Sequence, residues 1–123
     1  MAEADNVAVV EKLVNALNNW DMDAWMSCFT DDVSGRGMLN GATSSGIESR
    51  RKSLLSMQQT FAALHDDIIG LYPSGDHVIL EVSVYSKLAK EYKGNPPGHE
   101  KTKNELFIYK FRDGKICESR SYV

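Results

Sequence analysis

The sequence predicts a small α+β domain, helices first and then a curved sheet folded over them. Helical spacing of apolar residues dominates the first half of the chain, and period-two alternation dominates the second. Between the last two alternating runs stands Asp113-Gly114. An Asp-Gly pair in that setting signals a tight hairpin, because a type I′ turn needs positive φ at both central positions. Residues 1–123 read as a single domain, large enough to bury roughly two-thirds of the surface its unfolded form exposes.

Asp5 is placed to cap a first helix, in which Val7, Val10, Val14 and Leu17 recur at helical spacing and Val9, Leu13 and Trp20 widen the stripe. Asp21 caps a short second helix through Ala24, Trp25, Cys28 and Phe29, closing at Asp31 and Asp32. A brief strand over about 33–39 follows, weakened by Gly35 and Gly37. Ser45 and Glu48 have the spacing of a capping box and open a third helix that runs to about Leu64. Its buried face is Ile47, Leu54, Met57, Phe61 and Leu64. Strands are then expected over about 65–72, 77–87, 102–111 and 115–123. The segment 88–101, polar and carrying Pro96 and Pro97, is the one long connection and reads as a mobile rim.

Apolar residues make up 42% of the chain and charged residues 25%, with a net charge of -3, which leaves no electrostatic footprint for nucleic acid. The dense basic run Arg50, Arg51 and Lys52 falls on the third helix and reads as a solvated face. No nucleic-acid partner is expected. Cys28 and Cys117 sit inside apolar segments and read as buried free thiols. The acidic start, Met-Ala-Glu-Ala-Asp, lacks a stretch of signal or membrane length, so no membrane partner and a cytoplasmic location are expected. His65, His77 and His99 are too scattered for a metal site. With no glycine-rich phosphate loop, Ser-His-Asp set or Cys-His set, neither a metal nor a cofactor is expected.

The order of elements, with Leu17, Asn18, Asp21, Asp23, Phe29, Asp31 and Asp32 in the stretch 9–33, then 74–84 and 96–118, resembles the nuclear transport factor 2-like superfamily. Within it the chain is similar to the SnoaL-like polyketide cyclase and ketosteroid isomerase type. The resemblance implies a cystatin-like, cone-shaped fold: a curved antiparallel sheet wrapped around three N-terminal helices, usually a homodimer, with a pocket at one end. Members include isomerases, cyclases, dehydratases and epoxide hydrolases acting on hydrophobic small molecules, and also modules without chemistry. Carried over by position, the isomerase oxyanion-hole tyrosine falls at Leu13, its general base at Gly37 and its protonated aspartate at Phe107. The cyclase His and Asp of the final strand fall at Ser119 and Ser121. The usual acids of the family are therefore absent.

Alternation divides the strand over 77–87 into one face of Val78, Leu80, Val82 and Val84 and another of Ile79, Glu81, Ser83 and Tyr85. Alternation alone leaves open whether the mixed face is solvated; the resemblance turns it toward the pocket. Glu81 would then be a general acid or base with a pKa raised by desolvation, Tyr85 would orient a substrate oxygen, and Ser83 would line the site. His65, followed by Asp66 and Asp67, is the third catalytic candidate. Phe107 and Tyr109, then Cys117, Ser119 and Ser121, complete the lining, and Leu13 enters from the first helix. Phe107 and Ser121 are expected to face one cavity from adjacent strands.

Three functions fit these readings. One is an isomerase, cyclase or dehydratase acting by proton transfer on a polyketide-, steroid- or terpenoid-like substrate. A hydrophobic-ligand-binding protein without turnover is the second. The third is a dimeric interaction module whose pocket is filled by its own side chains.

Overall fold

The computed structural model describes residues 3–123; Met1 and Ala2, the first residues of the acidic N-terminal stretch, lie outside the described residues. Helices α1 (Glu3–Asn18) and α2 (Met22–Met26) lead into strands β1 (Phe29–Gly37) and β2 (Thr43–Ser45). Helix α3 (Ile47–Thr60) follows, and then β3 (Phe61–Ser74), β4 (His77–Leu88), β5 (Glu100–Arg112) and β6 (Lys115–Tyr122). The strands form one sheet in the order β2-β1-β6-β5-β4-β3. Every pair is antiparallel except β1 with β6, which is parallel. The sheet is curved and unclosed, with β2 and β3 at its edges. The fold is the α+β, nuclear transport factor 2-like one.

Asp113 and Gly114 have φ of 53° and 79°, the two positive values that a type I′ hairpin requires. Asp21 caps α2, its carboxylate accepting from the Ala24 N–H at 3.1 Å. Other boundaries shift from their expected places. Helix α1 begins at Glu3, which puts Asp5 in its first turn, where a carboxylate complements the helix dipole, rather than at the cap. Phe29, Asp31 and Asp32 belong to β1, because the chain turns extended as soon as Phe29 pairs with Ile116. The Ser45–Glu48 capping box does not form, since Ser45 is held in β2 opposite Ser34 and Gly46, at φ 86°, takes the cap position. Helix α3 ends at Thr60, where Phe61 pairs with Leu88 and draws the chain into β3.

The helices fill the concave face of the sheet, α1 packing on β3 and β4 and α3 on β1 and β3. Val10, Val33, Leu54, Val78, Val82 and Ile116 form the fully enclosed centre. Cys28 lies among them as a free thiol, and burial pushes that thiol up from its ordinary value. Two bulges set which side chains reach this face. One lies in β3 between Ile68 and Gly70, and the other in β6 between Ile116 and Glu118.

Candidate active site

Between the helices and the concave sheet lies a cavity of about 660 Å³. Leu13, Phe107, Tyr109, Ser119 and Ser121 all line it. Phe107 sits directly across from Ser121, and Tyr109 across from Ser119. The Phe107 and Tyr109 rings stack with centroids 5.9 Å apart. The hairpin turn alone, with Arg112 opposite Lys115, would set Phe107 against Arg120; the extra residue Cys117 in the β6 bulge moves Ser121 there instead. The same bulge takes Cys117 off the cavity face, which corrects the expectation for that residue.

Strand β4 is turned the other way from its expected orientation. Val78, Leu80 and Val82 are buried and face the helices, and Leu80 and Val84 line the cavity. Glu81, Ser83 and Tyr85 lie on the opposite, convex face, so they do not meet the cavity residues. The cause is elementary: an all-apolar face gains by burial, whereas burying the Glu81 carboxylate without a partner would cost more than burying any neutral polar group. Glu81 accepts a bond from the Tyr72 hydroxyl at 3.3 Å. Tyr85 donates to Glu100, and that bond holds its phenol above the ordinary range. His65 is exposed beside Asp67, at 3.0 Å, and is also outside the cavity.

One carboxyl group of the cavity belongs to Asp66, which is only 8% exposed and stands opposite Val84. It lies on an edge strand, where backbone groups lack a neighbouring strand. Asn18, the last residue of α1, substitutes for one: its Oδ1 accepts from the Asp66 N–H at 2.8 Å and its Nδ2 donates to the Asp66 carbonyl at 2.9 Å. Burial pushes the Asp66 carboxyl up to about 6, and the charge of Glu105 acts in the same direction. Glu105 also lines the cavity; burial raises its carboxyl, and Lys103, with Nζ 3.7 Å away, offsets part of that. Burial raises the Tyr109 phenol too, close enough to Asp66 and Arg50 to sense both charges, so Tyr109 is a neutral hydrogen-bond donor at any ordinary pH.

Arg50 is not part of a solvated basic face. Its guanidinium lies 5.2 Å over the Phe29 ring and donates from Nη2 to Ser119 Oγ at 2.6 Å. Only its neighbours behave as expected, Arg51 pairing with Glu48 at 3.5 Å and Lys52 standing exposed. Sequence reasoning thus missed Asp66, Glu105 and Arg50. Chemically the cavity offers a carboxyl that titrates near neutrality, a phenol donor and a fixed cation around an apolar floor. Among the described residues no group of three or more His, Cys, Asp or Glu is arranged to hold a metal ion. No helix among them is long and apolar enough to cross a membrane.

A family model for SnoaL-like polyketide cyclases matches residues 7–123. Among solved structures, the chain is similar to a candidate SnoaL-like polyketide cyclase from Jannaschia sp. CCS1 (TM-score 0.85, 20% identity, covering 98% of this chain and 85% of that one). It is also similar to an LEH-like epoxide hydrolase from M. tuberculosis (TM-score 0.81, 19% identity, covering 98% and 83%). A third is a Catenulispora acidiphila protein with a ketosteroid isomerase-like fold, in complex with trimethylamine (TM-score 0.78, 21% identity, covering 94% and 84%). At these identities the likeness is one of fold. No curated protein matches the chain significantly.

Proposed function

We infer that this chain, which belongs to the SnoaL-like polyketide cyclase family, is a small-molecule enzyme that moves a proton on a hydrophobic, polyketide-like substrate. Asp66 is the proton-transfer group, in the role that sequence reasoning gave to Glu81. The observation that carries this reading is a buried carboxyl, raised to about 6, facing an apolar cavity. A base must be partly free of its proton at working pH yet remain strong, and a value near 6 meets both conditions. Tyr109, neutral and with no protein partner for its hydroxyl among the described residues, is placed to donate to a substrate oxygen as negative charge develops there. Glu105 is a second acid beside Asp66, and its charge keeps the Asp66 proton from leaving early.

A ligand-holding role without turnover is the second reading, favoured by the apolar or neutral residues at Leu13, Gly37, Phe107 and Ser121, where the resemblance would place the family's acids and tyrosine. The two separate with 5-nitrobenzisoxazole, a flat apolar probe that opens when a base removes its ring proton. Wild-type protein should accelerate the opening, and Asp66→Asn should lower the rate by about 10²–10⁴. Glu81→Gln, on the convex face, should leave the rate unchanged. Binding of the probe without acceleration would favour the second reading.

Homodimerisation is part of the same proposal. The convex face of the sheet carries Ile79, Leu106 and Ile108 on its central strands, with no helix among the described residues packed over it. Sedimentation at micromolar concentration should give twice the 13.7 kDa chain mass, and a monomer mass would remove the claim.

A further inference from the structure

The cation inside the cavity has no counter-charge. Arg50, in the first turn of α3, turns its guanidinium toward the sheet rather than into solvent. Its fork has five donors, and these meet two protein acceptors among the described residues: Ser119 Oγ at 2.6 Å and, at the limit of bonding, the Ser34 carbonyl at 3.4 Å. Its Nε is enclosed without a partner. The ion pairs among the described residues include Arg51, Arg112 and Arg120 but not Arg50. The acids of the cavity, Asp66 and Glu105, do not register on it; Tyr109 is the group whose charge state it senses.

The fold makes room for this cation. Gly35, on β1, lies against it so closely that a Cβ there would collide with Nη2. Deprotonation cannot relieve the cost of enclosing a guanidinium, as it can for a buried lysine. An anion brought to the site would meet that cost.

We propose that the cavity's substrate carries a carboxylate and that Arg50 is its receptor. The substrate is then an amphipathic carboxylic acid: its anionic end lies against Arg50 and Ser119, and its apolar body lies along Phe107 and Leu80, toward Asp66. A planar carboxylate matches the guanidinium fork, and such charge-assisted bonds are about twice as strong as neutral ones. This rests on the reading of the cavity as the active site, and it adds the substrate's charge and its direction of entry.

The test uses 2-naphthoate and its neutral isostere 2-naphthamide, titrated against the wild-type protein by calorimetry at fixed ionic strength. Wild type should bind the acid about ten- to a hundredfold more tightly than the amide. Arg50→Met should lower acid affinity by that factor and leave amide affinity unchanged, while Arg50→Lys should retain part of the preference. Equal affinities for acid and amide in the wild type would overturn the carboxylate receptor and leave the Asp66 reading standing, and this arm needs no variant to fold. Failure of both probes to bind would overturn the cavity as a ligand site and this proposal with it.

Discussion

Asp66 costs the protein stability at neutral pH, which is the mark of a residue kept for something other than folding. Its carboxyl is raised to about 6 in the folded chain, against roughly 3.9 for an unperturbed aspartate. Between these values the folded chain holds a proton that the unfolded chain has lost, so stability falls as pH rises through about 4 to 6 and stays lower above. The size is about 3 kcal/mol. Asp66→Asn should remove most of that slope, and its melting temperature at pH 8 should exceed that of the wild type by a few degrees. A variant equally destabilised at pH 4 and pH 8 would contradict the assignment. Gly35 acts at the same scale. Gly35→Ala should displace the Arg50 fork at little cost in stability, because the colliding atoms are the flexible end of Arg50 and the Ser44 hydroxyl, and should lower 2-naphthoate affinity as Arg50→Met does; thermal unfolding and titration check both parts.

Two bulges and one asparagine decide what the strands present to the cavity. Carried back from Ser74 opposite His77 without interruption, the β3–β4 register would set Asp67 against Val84; the bulge near Ile69 puts Asp66 there. One residue of slip exchanges the two faces of a strand, so the aspartate inside the cavity was not legible from alternation. The reversed face of β4 was legible: Val78, Leu80, Val82 and Val84 form the more apolar face, and burial area favours turning that face inward. The resemblance points the other way, to Glu81. Arg50 was hidden for a different reason, because a basic run on a helix is ordinarily solvated and nothing in its spacing separates the one inward member. Asn18 fixes the segment that carries Asp66, and its two bonds to the Asp66 backbone make it a positioning residue. Asn18→Ala should cost roughly 1–2 kcal/mol in chemical denaturation and should lower turnover of 5-nitrobenzisoxazole more than its binding. Asn18→Ala with full turnover would show that the edge strand holds Asp66 unaided.

For the whole molecule, the order of helices and strands and the Asp113-Gly114 turn carried the fold, because each depends on short-range chemistry that tertiary packing does not reverse. The parallel pairing of β1 with β6 is invisible at that range, since it joins the chain's two halves, and β2, three residues long, is too short to show a period. Together these features give one cavity with an acid pair at one wall, Arg50 at another, and Tyr109 sensing both. In this cavity Asp66 is the group that takes a proton from a bound ligand. The pH dependence of 5-nitrobenzisoxazole opening tests that most directly. The wild-type rate should rise with pH through a single step near 6 and then level, with no such step in Asp66→Asn; a step near 6 that persists in Asp66→Asn, or a wild-type rate no greater than that of buffer across the range, would contradict it.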